Sequence, residues 1–221
     1  LAGKTLEEAL SIWGNSAIGK KASRFPYFPI LIKLIDAKDR LSIQVHPDND
    51  YAMRVEGGFG KTEMWYVVDS QPGAQLIYGF NKTISREEFR RRIEDNTITE
   101  VCNFVPVKKG DVFFIEAGTL HAIGAGILIA EVQQNSNTTY RVSDYGRLGA
   151  DGKPRELHIG KAVDVTVTAP PTIPYGNIGE TREIPGGHVR NLSSCEFFTT
   201  SVLTVTGRMA AGRQDSFCSL L

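Results

Sequence analysis

The sequence predicts a mainly β protein, a jelly roll or barrel with a few peripheral helices. Three observations carry this: many short runs rich in β-branched and aromatic residues, Gly-containing turns between them, and few helix-start signals. Taken in order, "TLEEAL" opens with Thr5 and, three residues on, Glu8. That is a capping box, and it starts a helix running to about Trp13. A Gly-rich, basic loop follows. "FPYFPILIKLID" is apolar with two prolines and reads as an extended lead into the core. "RLSIQVHP" alternates polar and apolar residues, the signature of a strand, and stops at Pro47. Asp48 caps a short helix that ends at Gly57 and Gly58. "TEMWYVVDS" and "AQLIYGF", separated by "QPG", read as a hairpin. "TISREEFRRRIED" is the clearest helix, about 85–95, with Ser85 and Glu88 as a second capping box. "DVFFIEAG", "GILIAEVQQ" and "TTYRVSDY" give three further strands. Beyond about 165, "APPTIPYGNIGE" reads as a linker, and "CEFFTTSVLTVTG" resumes strand character.

The 221 residues, 41% of them hydrophobic, suffice for one large domain, or one and part of another. Lys plus Arg equal Asp plus Glu at 25 each, so no overall field draws the chain to nucleic acid or a membrane. An anionic ligand must therefore be held by a local cluster. No apolar run reaches the roughly 18 residues that span a bilayer, and no basic segment leads into an apolar one as in a signal peptide. Cys102, Cys195 and Cys218 are odd in number and lack a CxxC spacing. These features lead to the expectation of a cytoplasmic, reduced protein.

The chemistry-bearing residues fall on strands and strand edges. Alternation places Ser42, Gln44 and His46 on one side of their strand, with Ile43 and Val45 on the other. Glu63 begins the next strand, two residues after Lys61. His121 lies in "GTLHAIGAG", where glycines on both sides fix the backbone. Taken alone, each is an ordinary surface or core residue. Together Gln44, His46, Glu63 and His121 offer an amide oxygen, two imidazoles and a carboxylate, a divalent metal set that suits Zn²⁺ and equally Fe²⁺. Arg141, with Thr139 and Ser143 on its face, follows His121 by about one strand–turn–strand hairpin, which would aim it across the same cavity at an anion. Lys153, Arg155 and His158 form a solvated loop or part of the rim. Trp65 and Tyr140 read as core.

The motifs "IQVHP", "GKTEMWY", "AGTLHAIGAG" and "QQNSNTTYR" resemble those of the type I mannose-6-phosphate isomerases, particularly the short bacterial form, over about residues 3–168. The resemblance implies a cupin-type jelly roll with one catalytic zinc that interconverts mannose 6-phosphate and fructose 6-phosphate. It places the metal ligands on Gln44, His46, Glu63 and His121, the active-site arginine on Arg141 and the active-site lysine on Lys61. Ser42, Thr139 and Lys61 are the expected phosphate contacts. Position 137, Asp in several relatives, is Asn137 here. The general base therefore stays open among Lys61, the surroundings of Glu63 and His158. The expected organisation is a catalytic domain over 1–165 with helical insertions, then a linker and part of a C-terminal β domain over 166–221. The family's extra N-terminal segment and the rest of that β domain are not in the sequence. The expected partner is a small sugar phosphate. An iron-dependent cupin dioxygenase and a non-catalytic sugar-binding cupin are the competing readings.

Overall fold

The computed structural model describes residues 2–14, 17–149, 151–210, 212 and 215–221. The helices are α1 (Leu6–Trp13), α2 (Gly19–Ala22), α3 (Asn49–Glu56), α4 (Arg86–Glu94) and α5 (Ile159–Val165). The strands are β1 (Ile30–Ala37), β2 (Ile43–Val45), β3 (Glu63–Ser70), β4 (Gln75–Phe80), β5 (Cys102–Pro106) and β6 (Val112–Ile115). They continue as β7 (His121–Ala122), β8 (Ile127–Gln134), β9 (Tyr140–Ser143), β10 (Thr181–Ile184), β11 (Gly187–Ser194) and β12 (Thr199–Val205).

Two compact units result. Residues 31–178 form one, and residues 1–30 together with 179–221 form the other. The boundary expected at 165 differs from this division, because residues 166–178 pack against the barrel strands. Val112 and Gly176 form a β-bridge, Tyr175 stacks on Phe113 with 5.5 Å between centroids, and Val167 N–H donates to the Gly118 carbonyl at 2.9 Å. In the other unit β10, β11 and β12 form an antiparallel sheet, and α1 carries the expected capping box. Thr5 N–H donates to Glu8 Oε2 at 2.7 Å and Glu8 N–H to Thr5 Oγ1 at 3.2 Å.

The larger unit holds two antiparallel sheets, one ordered β1-β8-β3-β6 and the other β5-β4-β7-β2-β9. Trp65, Val67, Phe113, Ile115, Ile127 and Ile129 from the first meet Leu76, Tyr78 and Val105 from the second in one buried layer. The outer face of the five-stranded sheet buries Ile43, Val45, Ile77, Phe80, Ala122, Tyr140 and Val142. They pack against Phe89 and Ile93 of α4 and Ala162 and Val163 of α5. Full burial of each large apolar side chain stabilises by about 1.5–3 kcal/mol before cavity effects.

Two sequence expectations change. The segments 63–70 and 75–80 are not a hairpin, since β3 lies in the four-stranded sheet and β4 in the five-stranded one. β4 is buried on both faces, with Leu76 and Tyr78 in one layer and Ile77 and Phe80 in the other, so its pattern does not reveal its partner. Similarly β8 and β9 belong to different sheets, and β9 pairs with β2. The helix starts hold better. Asp48 Oδ1 accepts from Tyr51 N–H at 2.8 Å and Ser85 Oγ from Glu88 N–H at 3.0 Å, although the Glu88 carboxylate turns to Arg92 Nε at 2.8 Å.

Candidate active site and metal centre

Strand register gathers the polar residues at one end of the inter-sheet layer. Tyr78, His121, Gln44 and Arg141 are successive cross-strand partners on β4, β7, β2 and β9, so their side chains share a face. His46, just past β2 and two residues from Gln44, extends that face. From the opposite sheet, Glu63 of β3 stands opposite Gln133 of β8, and Trp65 opposite Glu131.

His46, Glu63 and His121 are buried, and their ligating atoms lie within 4.8 Å of one another. The two imidazoles are oriented alike. His46 Nδ1 donates to the Thr138 carbonyl at 2.9 Å and His121 Nδ1 to the Thr119 carbonyl at 2.8 Å. Each ring therefore presents the lone pair of Nε2, the arrangement that backbone acceptors impose on metal-binding histidines. His121 Nε2 lies 3.3 Å from Glu63 Oε1, and His46 Nε2 lies 3.5 Å from Glu63 Oε2. The Gln44 amide is 3.3 Å from His121 Nε2, and turning it over would present its oxygen there.

The electrostatics agree with this geometry. Burial, reinforced by Lys61, lowers His46 to about 4, and burial lowers His121. Burial alone would raise Glu63, but Lys61, His46 and His121 hold its carboxyl well below the usual range. Neutral imidazole and ionised carboxylate are the forms that coordinate a cation. Glu63 Oε1 is fully buried with no hydrogen-bond partner, facing a second lone pair. A buried acceptor without a donor is costly, and a cation between these atoms removes the cost. The donor set thus fits a divalent metal.

Lys61, 4% exposed, has its ammonium on Glu63 Oε2 and 3.1 Å from His46 Nε2. Its strand lead-in is laced to the neighbouring segments. Lys61 N–H donates to the Pro47 carbonyl at 3.0 Å, Thr62 N–H to Gln134 Oε1 at 2.7 Å, and Gly60 N–H to Asn49 Oδ1 at 2.9 Å. A Cβ on Gly60 would lie 2.4 Å from the Asp48 carbonyl carbon. Gly60→Ala is therefore expected to cost about 1–3 kcal/mol through overpacking. Denaturant unfolding measures it, and an unchanged midpoint would show that the loop yields freely.

Sequence reasoning missed a second polar group beside the first. Lys33 Nζ donates to Glu131 Oε1 at 2.8 Å and Gln133 Oε1 at 2.5 Å, and Trp65 Nε1 donates to Glu131 Oε2 at 3.0 Å. Trp65, expected as core, is buried, yet it also meets the His121 ring edge-on at 5.3 Å between centroids. The signal was present in "GILIAEVQQ", where period two puts Glu131 and Gln133 on the face of Ile127 and Ile129.

The remaining candidates separate. Arg141 points inward beside Gln44. Its Nη1 donates to the Glu156 carbonyl at 2.9 Å and its Nε is buried without a partner. Ser42 is buried just before β2. Thr139 and Asn137 line a cavity of about 340 Å³ with Glu56, Thr138, Tyr140, His158 and Lys161, which adjoins the cluster through the Thr138 carbonyl bonded to His46. Arg155 is committed to Asp144 through Nε at 2.8 Å and Nη2 at 2.6 Å. Among the described residues no helix is long and apolar enough to cross a membrane.

Comparison with known proteins agrees with this site and fold. The family profile described as "Phosphomannose isomerase type I, catalytic domain" matches residues 1–69. Mannose-6-phosphate isomerase ManA of Bacillus subtilis (strain 168) is 42% identical over 191 residues, 86% of this chain and 60% of ManA. YvyI of the same strain, described with the same activity in provisional terms, is 38% identical over 229 residues, 99% of this chain and 68% of YvyI. The crystal structure of the mannose 6-phosphate isomerase from Bacillus subtilis aligns with a TM-score of 0.81 at 36% identity, covering 92% of this chain and 63% of that one. The chain thus spans 60% to 68% of the lengths of these relatives. The expected mainly β, cupin-type architecture holds. By sequence shared along nearly its whole length, the chain belongs to the type I phosphomannose isomerase family.

Proposed function

We propose that the chain carries the catalytic centre of a mannose-6-phosphate isomerase, interconverting mannose 6-phosphate and fructose 6-phosphate. One zinc ion would be held by His46, Glu63, His121 and the oxygen of Gln44. The observation that carries the reading is the buried meeting of Glu63 Oε1 and His121 Nε2 at 3.3 Å with no donor between them. When bound, zinc supplies Lewis-acid polarisation of the substrate carbonyl and a charge opposite the developing oxyanion.

The chain's own groups do the rest. Aldose–ketose isomerisation moves a proton between C1 and C2 through an enediolate. Arg141 on β9 and Lys61 just before β3 lie beside the proposed ligands, so both are assigned to the anionic oxygens of that species. Glu131, held by Lys33 and Trp65, keeps a second carboxylate 4.0 Å from the Lys61 ammonium. Ser42 is assigned to the phosphate. The buried aromatic and aliphatic layer behind the cluster excludes water from the reacting end.

Turnover of mannose 6-phosphate with and without a chelator tests the proposal. Chelation is expected to abolish turnover and added zinc to restore it, while metal analysis separates zinc from iron. Full turnover in metal-stripped protein sinks the metal role. A second expectation concerns the phosphate. In a chain of zero net charge, the buried Lys61, the half-buried Lys33 and Arg141 are the local cations assigned to an anion, although Lys61 and Lys33 also pair with Glu63 and Glu131. Free mannose is therefore expected to show a far lower kcat/KM than its 6-phosphate, because binding energy from the phosphate orients the reacting carbons. Equal values would refute a phosphate requirement.

A further inference from the structure

Arg141 sits on β9, the edge of the five-stranded sheet, opposite Gln44 on β2. An edge strand leaves every second backbone N–H and C=O facing away from the sheet. At Arg141 both are taken by one residue. Arg141 N–H donates to His158 Nδ1 at 2.9 Å, and His158 N–H donates to the Arg141 carbonyl at 2.9 Å. The imidazole stands where the carbonyl of a further strand would stand. Two residues earlier, the Glu156 carbonyl accepts from Arg141 Nη1 at 2.9 Å. Residues 156–158 therefore hold both ends of this arginine, its backbone and its guanidinium. The segment is itself anchored. His158 precedes α5, whose Ala162 and Val163 are buried against β2, β4 and β9, and Arg86 clamps the end of α5 by donating to the Asp164 carbonyl at 2.8 Å.

The chemistry of these acceptors is informative. A carboxylate would orient Arg141 but also neutralise it. A backbone carbonyl orients it and leaves its charge for a ligand. Arg141 Nε, buried and without a partner, is a donor still to be used. His158 was a candidate proton carrier from sequence, yet its Nδ1 is occupied as an acceptor.

We propose that His158 is a positioning residue, which fixes the backbone of Arg141 through Nδ1 so that the guanidinium is aimed at the anionic substrate before it binds. The inference rests on the role given to Arg141 under the proposed function.

Three substitutions test it. Asparagine places an amide oxygen near the position of Nδ1, glutamine places one near Nε2, and leucine has no acceptor. A small misplacement of a positioned group costs up to about 100-fold, so His158→Leu and His158→Gln are expected to lower kcat/KM about 10- to 100-fold. The loss should fall in the same parameter, kcat or KM, that Arg141→Ala changes, and His158→Asn should recover most of it. Zinc content should be unchanged in all three. In the Arg141→Ala background His158→Leu should add less than about 2-fold, because the pair acts as one unit.

Three results would overturn the proposal. One is undiminished activity in His158→Leu and His158→Gln. Another is an equal loss in His158→Asn, which would assign the imidazole itself to the chemistry. The third is a full additional loss in the Arg141→Ala background, which would mark a role independent of the arginine. If instead Arg141→Ala alone keeps full turnover, the arginine's part in the proposed function fails and takes this inference with it. That failure is distinguished from the others because the single arginine variant reveals it.

Discussion

His121→Ala is expected to strip the divalent metal and lower turnover of mannose 6-phosphate by about 1000-fold, the largest effect of any single substitution considered. A Lewis acid at the reacting carbonyl contributes several kcal/mol to the barrier, and about 4 kcal/mol corresponds to three factors of ten. The loss should not be confused with unfolding. His121 lies at the polar end of the inter-sheet layer, next to Trp65 and His46, so alanine leaves a local gap beside a folded barrel. It also removes the Nε2 that lies 3.3 Å from the buried Glu63 Oε1. His46→Ala should behave likewise. Metal per chain, measured together with circular dichroism, decides the matter. Full zinc occupancy in both folded variants would remove these histidines from the ligand set.

The second large effect is expected at Arg141. Arginine stays charged at any working pH, so it serves electrostatically and not as a proton carrier. Removing one preorganised donor to an oxyanion costs about 100- to 1000-fold in kcat, and Arg141→Ala should lose activity on that order. It should keep its metal, because Arg141 is not among the proposed ligands and its guanidinium is held by the Glu156 carbonyl. A loss mainly in KM makes it a phosphate anchor, and one mainly in kcat places it on the transition state. Arg141→Lys should rescue only in part, since an ammonium lacks the planar fork. Near wild-type turnover in a folded, zinc-loaded Arg141→Ala protein would falsify the assignment.

Much of this was legible in the sequence for a definite reason. Gln44 and His46 alternate with Ile43 and Val45, and a period of two survives wherever one face is polar and the other buried. Helix starts were legible because Thr5, Asp48 and Ser85 act on their own neighbours. What failed was long-range. "QPG" looks like a hairpin turn, yet it carries the chain from one sheet to the other, and nothing local distinguishes the two uses. The short strands β5, β7 and β10 escaped notice because two to five residues carry little periodic signal, and β11 because "GHVRNLSS" is mostly polar with few β-branched residues. Lys33 and Glu131 were overlooked because each sits singly in an apolar run. Their meaning comes from each other, 98 residues apart. His158 was read as a member of a polar loop, and only the edge position of β9 makes its ring a backbone acceptor.

The proposed donor atoms come from two separate sheets. Gln44 and His121 lie on the five-stranded sheet, His46 just past its strand β2, and Glu63 on the four-stranded sheet. The span between them is set by what fills the space between the sheets: Trp65, Phe113, Tyr78, Leu76 and Ile129. Packed sheets stand about 10 Å apart, and a close-packed layer resists change in that spacing. Coordination distances differ by only a few tenths of an ångström between cations, about 2.0–2.2 Å for zinc to nitrogen and oxygen and 2.3–2.6 Å for calcium to oxygen. The apolar layer therefore works as a gauge block. On the proposed ligand set, ion preference would then depend partly on aliphatic and aromatic side chains that are not themselves ligands. Trimming one of them, such as Phe113, should broaden ionic selectivity before it alters any residue at the centre.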